Sequence, residues 1–288
     1  MSLEPFYPEQ LAVIQQIAEH RKDWLNPIFI FLGYLDNFFF YQALILIGWL
    51  KMGKLRGSHL FSLFFISFFT VFFAKIKIQY PRPPEEFWLI PAHHFGFPSG
   101  AATHTMVILG YFITQGKNFF YRFLLALSIF LFAFSRLYLG VHFPLDVAGG
   151  LLLGLILLVI YFESIDPILT ICRRIPPFLD FFIVAGIIAI LFFKCPTTDL
   201  LGFFYFYALG IYAGLASRGY LLFPFAEKGI NAVITIFLFG LVGVAWILFP
   251  PLDATILYPA VFIVGLILPL IGPGIAHYLL FPRNQINE

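Results

Sequence analysis

Three short polar clusters interrupt an otherwise apolar stretch between residues 75 and 146. They read Lys75-Ile-Lys-Ile-Gln-Tyr-Pro-Arg82-Pro83, then Pro98-Ser99-Gly100, then Ser135-Arg136-Leu-Tyr-Leu-Gly-Val-His142-Phe-Pro-Leu-Asp146. Charged groups at membrane depth are costly unless they pair with each other or line a wet cavity, so they mark candidate functional sites. Three cations, an imidazole and a carboxylate in one stretch indicate a site for an anion.

The composition around these clusters is that of a polytopic membrane protein. Hydrophobic residues make up 61% of the 288 residues, charged residues make up 11%, and the mean hydropathy is +0.92. A soluble domain is closer to half apolar and a quarter charged. The net charge of +2 is too small to indicate nucleic acid as a partner, and no protein partner is evident from the sequence.

Hydropathy predicts an all-α membrane bundle, because about 20 apolar residues cross the hydrocarbon core as a helix. An amphipathic helix near residues 8–23, followed by Trp24, is expected to lie in the membrane interface. Nine spans are predicted after it, near residues 27–50, 59–76, 99–115, 120–139, 144–162, 177–193, 200–217, 229–249 and 255–280.

The loops between these spans alternate in charge. Ten of the 17 Lys and Arg residues fall on one side, and positively charged loops stay in the cytoplasm. The three polar clusters are therefore expected on the outer side. Cys172 and Cys195 flank one predicted span, so no disulfide is expected between them. No metal-ligand pattern is recognised.

The third cluster has the most specific chemistry. A helix that starts near His142, with Pro144 in its first turn, would place Asp146 on the same face as the imidazole. A carboxylate behind an imidazole fixes its tautomer and suits it to act as a nucleophile or base. Arg136 ends the preceding span and could hold a phosphate through its planar guanidinium. A purely structural pair of His142 and Asp146 is the alternative.

The other two clusters can serve the same anion. Lys75 ends the second predicted span, and Arg82 stands between prolines that keep the chain extended. Ser99 and Gly100 open the third span, where free backbone N–H groups and the positive end of a helix dipole attract anions. The alternatives are a Lys75 that extends to the membrane surface and a Ser99 that is an ordinary N-cap.

At these residues the chain resembles the type 2 phosphatidic acid phosphatase (PAP2) superfamily, whose signature is K-x6-RP, PSGH and SR-x5-H-x3-D. The first and third motifs match at every defined position and in order. The resemblance covers about residues 27–193 and implies a six-helix membrane core there. Residues 1–26 would hold the interfacial helix, and residues 194–288 about three additional spans of unassigned role. It also implies a bacterial inner membrane protein whose site faces the periplasm.

The resemblance implies hydrolysis of a phosphomonoester or pyrophosphate on a lipid of the bilayer, without a metal or another cofactor. His142 would attack phosphorus and form a phosphohistidine, and Asp146 would orient it. The phosphoryl oxygens would be held by Lys75, Arg82, Ser99, Gly100 and Arg136. A lipid phosphotransferase and a non-catalytic lipid-phosphate binder or transporter are the alternative functions.

One position departs from the family pattern. The second motif of the family ends in the histidine that protonates the leaving group, and this chain has Ala101 there. Three interpretations are open: an engineered replacement of a natural histidine, a natural variant in which His104 or water supplies the proton, or a natural pseudoenzyme that binds lipid phosphates. Because general acid catalysis contributes about 10²–10⁴-fold, we expect slow turnover and retained binding.

Overall fold

The computed structural model describes residues 7–52 and 54–172, which form seven α-helices. The helices are α1 (Tyr7–Glu19), α2 (Asn26–Leu35), α3 (Phe38–Met52), α4 (Lys54–Ile78), α5 (Gly100–Gln115), α6 (Phe119–Tyr138) and α7 (Pro144–Cys172), with a 3₁₀ helix at Glu85–Phe87. This part of the chain contains no β-strand. The expected all-α fold is therefore confirmed for it. The four spans predicted after residue 172 lie outside the described residues, and the count of six plus three spans stays a prediction.

Among residues 7–52 and 54–172, three helices are long and apolar enough to cross a membrane. Their spanning segments are His59–Ile78 in α4, Phe119–Tyr138 in α6 and Pro144–Ile165 in α7. Large apolar side chains on α6 and α7 point away from the protein, including Phe130 and Ile160, which are 61% and 56% exposed. Such surfaces suit lipid rather than water. α5 has 16 residues, which rise about 24 Å, less than the roughly 30 Å of the hydrocarbon core.

The prediction of one continuous helix near residues 27–50 is wrong, because the chain breaks at Asp36 and Asn37 between α2 and α3. The Asn37 side chain donates to the carbonyl of Tyr34 at 2.6 Å and accepts from the backbone N–H of Phe40 at 3.0 Å. It thus ends one helix and caps the next. Short polar side chains compete in this way for backbone hydrogen bonds, and a hydropathy average does not register them.

Helix α1 (Tyr7–Glu19) overlaps most of the predicted 8–23 region and packs apolar residues against the protein's own loops. Ile14 is fully buried and contacts Tyr80 and Phe143, and Gln10 is also buried. The exposed positions of α1 mix polar and apolar residues, namely Pro8, Glu9, Ala12, Val13, Gln15, Gln16 and Glu19. Placement of α1 and Trp24 in the membrane interface stays a prediction.

Arg21, just after α1, holds the end of α6. Its Nε donates to the carbonyl of Tyr138 at 2.9 Å, and its Nη2 donates to the carbonyl of Phe87 at 2.7 Å. The last carbonyls of a helix have no partner within the helix, so Arg21 acts as a cap from a distant segment. Gly140 then turns the chain toward the third polar cluster with φ +74°. An added Cβ there would also overlap the Phe87 carbonyl, so glycine is required.

Candidate active site

The helix ends carry the three polar clusters into one region. Lys75 lies in the last turn of α4 and Arg136 in the last turn of α6. Arg82 lies in the loop between α4 and α5. His142 and Asp146 lie at the start of α7. All of these residues fall within one unit of the chain, Met1–Ser164.

His142 and Asp146 form the buried centre of this region. The Nδ1 atom of His142 lies 3.2 Å from Oδ2 of Asp146, and the same oxygen accepts from the backbone N–H of Phe143 at 2.9 Å. α7 begins at Pro144, so His142 precedes the helix, whereas the sequence predicted that the helix would start near His142. Asp146 therefore reaches back to the N-cap amide, as the acidic residue of a capping box does. This contact holds the carboxylate beside the imidazole.

The contact with Arg82 defines the tautomer of His142. Nη1 of Arg82 lies 3.1 Å from Nε2 of His142. A guanidinium can only donate hydrogen bonds, so Nε2 must accept and carry the free electron pair. The proton then resides on Nδ1 and is donated to Asp146. Nε2 is thus the atom able to attack an electrophile.

The surroundings of His142 also keep it uncharged. Its ring is 5% exposed. Burial lowers the pKa of His142 well below its ordinary value, and the positive charges of Arg82, Lys75 and Arg136 lower it further, while a hydrogen bond with the Gly96 backbone acts in the opposite direction. At neutral pH the imidazole is therefore neutral, the form that a nucleophile needs. Arg82 is in contact with the imidazole, and Lys75 and Arg136 lie close enough to lower its pKa.

Arg82 binds the loops of the site together. Besides contacting His142, it donates from Nε to the carbonyl of His94 at 3.0 Å, from Nη2 to that of His93 at 2.8 Å and from Nη1 to that of Val141 at 2.6 Å. Four of its five N–H groups are thus engaged. Burial lowers the pKa of Arg82 to about 10, so it stays cationic at neutral pH. One donor remains for another acceptor.

Lys75 is held by the same loop. Its Nζ donates to the carbonyls of Phe95 and Gly96, at 2.5 and 3.0 Å. The ammonium is therefore fixed against the protein, and one of its three N–H groups remains. Gly96 was not foreseen from the sequence. Its N–H donates to the carbonyl of Tyr80 at 2.8 Å, and an added Cβ would lie 2.8 Å from Oδ2 of Asp146.

Arg136 has a partner that the sequence analysis missed. Its Nη1 lies 3.2 Å from Oδ2 of Asp36, Nη2 donates to the carbonyl of Leu32 at 3.2 Å, and Nε donates to the Ser135 hydroxyl at 3.1 Å. The other oxygen of Asp36 accepts from the Tyr41 hydroxyl at 2.6 Å. A lone carboxylate inside an apolar span was the signal that could have revealed Asp36. Two N–H groups of Arg136 remain.

Ser99 and Gly100 open α5 as predicted. The backbone N–H of Ser99 donates to the carbonyl of Asp146 at 2.9 Å, which joins the second cluster to the third. Ser99 stands at the N-cap of α5, as the alternative interpretation expected, but its side chain makes no capping hydrogen bond. Its Oγ is buried without a partner, as is Oδ1 of Asp146. Such atoms are uncommon in folded proteins, and here both belong to the site.

Ala101 and His104 lie further into α5, and both are buried. Nδ1 of His104 lies 3.0 Å from the Ser67 hydroxyl, which itself donates to the carbonyl of Phe64 at 2.7 Å. With the hydroxyl proton used in that way, Nδ1 of His104 is the donor. Nε2 of the neutral ring then has no proton to give. Aromatic rings enclose the imidazole, those of Tyr41, Phe64 and Phe68. This hydrogen bonding does not favour His104 as a substitute for the missing acid, and that substitution stays a prediction.

Residues 7–52 and 54–172 contain no group of three or more His, Cys, Asp or Glu side chains that could hold a metal ion. The adjacent His93 and His94 are tied to Arg82 through their backbone carbonyls.

Comparisons with known proteins agree with the motifs. Residues 57–167 match the family model described as the PAP2 superfamily. The crystal structure of the first transmembrane PAP2 type phosphatidylglycerolphosphate phosphatase from Bacillus subtilis is similar, with a TM-score of 0.51 and 25% identity over 57% of this chain and 88% of that chain. The crystal structure of Aquifex aeolicus LpxE matches with a TM-score of 0.48 and 26% identity, over 53% of this chain and 94% of that chain. No curated protein gave a significant match.

The matched segment contains all three polar clusters, from Lys75 to Asp146. Its helices α4, α6 and α7 are also those with the length and composition of membrane spans. The resemblance seen in the sequence is thereby confirmed: residues 57–167 match the PAP2 superfamily model, and the apolar helices of this segment are those of an integral membrane protein.

Proposed function

We propose that the protein is a membrane-embedded lipid phosphate phosphatase that works through a phosphohistidine on His142. One observation carries the proposal: Asp146 holds the Nδ1 proton of His142, while Nε2 turns its electron pair toward the cationic side chain of Arg82. A phosphoryl group bound by Lys75, Arg82 and Arg136 would have its phosphorus close to the attacking nitrogen.

Phosphoryl transfer asks a protein mainly to position the groups and to neutralise charge. The remaining N–H groups of Lys75, Arg82 and Arg136, together with the Ser99 hydroxyl, provide donors for the phosphoryl oxygens. Most donors of the three cations already hold backbone carbonyls or Asp36. The cations are therefore fixed before substrate binds, which limits the reorganisation that the reaction requires.

The reaction proceeds in two balanced steps. In the first, Nε2 of His142 forms a bond to phosphorus and the bond from phosphorus to the leaving oxygen breaks. In the second, water attacks phosphorus and the phosphorus–nitrogen bond breaks. One proton of the water stays on the inorganic phosphate that leaves, and the other is released to solvent, which balances the proton that solvent gives to the leaving group. Ala101 cannot donate a proton in the first step, so an alcohol leaving group must take its proton from water. Turnover of such substrates is expected to be slow.

Apolar outer surfaces and the likeness to a phosphatidylglycerolphosphate phosphatase support a lipid phosphomonoester or pyrophosphate as substrate. The likeness to a transmembrane phosphatase from Bacillus subtilis supports a bacterial membrane protein, and we extend this to the inner membrane. The excess of positive charge in the opposite loops supports a site that faces the periplasm.

The test measures phosphate release by the purified full chain from vesicles that contain phosphatidate, phosphatidylglycerophosphate or a polyprenyl diphosphate. Ala101→His should raise phosphomonoester hydrolysis by about 10²–10⁴-fold. Adding His142→Ala to that variant should abolish release while leaving the protein folded. An Ala101→His chain that is inert on every lipid would refute the hydrolase. Analysis of products with an acceptor lipid present separates hydrolysis from phosphotransfer.

A second candidate function is a lipid-phosphate binder or transporter that does not turn its ligand over. The observation that favours it is the absence of a proton donor at Ala101, together with a His104 ring that is turned to Ser67. Transport of a labelled lipid phosphate by the protein in liposomes, at a rate that His142→Ala leaves unchanged, would support this function and contradict the phosphatase.

A further inference from the structure

The first turn of α7 is capped only in part by its own residues. Phe143 stands at the N-cap position and has no side-chain oxygen, and Pro144 has no N–H group. The Asp146 carboxylate is directed back to the N–H of Phe143. The N–H of Leu145 therefore needs an acceptor from elsewhere, because the first N–H groups of a helix have no partner within it.

Gln10 of α1 is that acceptor. Its Oε1 accepts from the N–H of Leu145 at 2.9 Å, across 135 residues of sequence. The other end of the same amide donates from Nε2 to the hydroxyl of Tyr80 at 3.2 Å. Gln10 is only 9% exposed, so these bonds are shielded from water. Ile14, one turn later, packs against Tyr80 and Phe143 and fixes the helix that carries Gln10.

Both partners of Gln10 adjoin residues of the site. Leu145 directly precedes Asp146, and Tyr80 lies two residues before Arg82. The backbone carbonyl of Tyr80 also accepts from the N–H of Gly96. The Gln10 amide therefore links the start of α7 to the segment that places Arg82 against Nε2 of the imidazole.

We propose that Gln10 is a positioning residue of the site, which caps α7 from α1 and keeps the His142–Asp146 pair aligned with Arg82. It does not touch the substrate. Its kinetic test rests on the proposed phosphatase function, whereas its structural test does not.

Gln10→Met keeps a side chain of similar length and removes both hydrogen bonds, and Gln10→Ala removes the packing as well. Gln15→Ala is the matched control, because Gln15 lies exposed on the same helix. Both Gln10 variants should lower kcat by roughly 10- to 100-fold, the scale expected when reacting groups are slightly misplaced, with a smaller change in KM. A residue that served only folding would lower the amount of active protein and leave the kcat of the folded fraction unchanged.

Hydrogen exchange of the Leu145 amide in the full chain supplies the readout that needs no substrate. Exchange should be faster in Gln10→Met than in the parent chain and in Gln15→Ala. If no variant and no parent chain releases phosphate, the proposed function fails and exchange alone decides the cap. A folded Gln10→Met with the parent's kcat, or with the parent's exchange at Leu145, overturns the proposal. Should Gln10→Ala fail to fold, Gln10→Met still gives the answer.

Discussion

Replacing Gly96 by alanine should disable the site through a clash of known size. Gly96 lies where the loop between α4 and α5 crosses the start of α7. It accepts a hydrogen bond from Lys75 and donates one to Tyr80. A Cβ at this position would lie 2.8 Å from Oδ2 of Asp146 and 2.9 Å from the carbonyl oxygen of Pro81.

The magnitude follows from these two distances. Ordinary contacts of a Cβ begin near 3.4 Å, so the two oxygens must together yield by about 1 Å, at a typical overpacking cost of about 1–3 kcal/mol. Oδ2 of Asp146 is the atom that holds both Nδ1 of His142 and the N–H of Phe143. A displaced carboxylate therefore releases the imidazole. A misplacement of about 1 Å can lower a rate 100-fold, so we expect kcat to fall by roughly 10- to 100-fold.

The assay combines phosphate release from a lipid diphosphate with thermal unfolding in detergent. Gly100→Ala controls for folding, because the nearest atoms to its added Cβ are at 3.5 and 3.7 Å. Gly116→Ala is a control for a clash away from the site, since the nearest atoms to its added Cβ are ring atoms of Tyr121 at 2.6 and 2.8 Å. A Gly96→Ala protein with the kcat and the unfolding midpoint of the parent would refute the positioning of Asp146 described here.

Three further predictions concern the acid, the nucleophile and the buried ion pair. The chain with Ala101 should hydrolyse a lipid diphosphate faster than the matching monophosphate, because a phosphate leaving group has a pKa of about 6 and an alcohol has a far higher pKa, comparable to that of water. Equal rates of phosphate release would contradict a missing acid. Because the pKa of His142 is lowered, the neutral nucleophile persists below pH 6.5. The value of kcat/KM, corrected for ionisation of the substrate, should therefore reach half its maximum below that pH. A midpoint at or above pH 6.5 would contradict the buried, cation-lined surroundings of His142. Asp36→Ala should lower the free energy of unfolding by about 1–3 kcal/mol, since the buried Arg136 loses its charged acceptor. Denaturation should show a smaller loss in the double variant that also carries Arg136→Met. Equal losses in the two variants would mean that the pair is not coupled.

The sequence predicts that the three clusters lie close together. Each cluster stands at the end of an apolar span, and span ends on the same side of a membrane are near one another. The roles of Lys75, Arg82 and Arg136 as cations around one imidazole follow from the same spacing. What remained hidden depends on contacts through space. Gly96 matters because two distant oxygens approach it, and no local pattern records such an approach.

The break at Asp36 and the cap by Gln10 were missed for related reasons. The mean hydropathy of an apolar window changes little when one carboxylate lies within it, although that carboxylate has a large local energetic effect. The partner of Gln10 lies 135 residues away, and an exposed glutamine on an amphipathic helix has the same appearance in sequence as a buried one. Likewise, the sequence placed His104 near Ala101, but only the Ser67 contact shows which of its nitrogens holds the proton.

The hydrogen bonds of Arg21 to the end of α6 show that the site depends on residues well before the segment that matches the family. The segment recognised by family likeness starts at residue 57, yet the group that closes α6 comes from residue 21. A fragment trimmed to the recognisable segment would retain every signature residue and lose the bond that fixes the turn leading to His142. For this protein the segment needed to hold the site in place begins nearer the N-terminus than the segment that resembles the family.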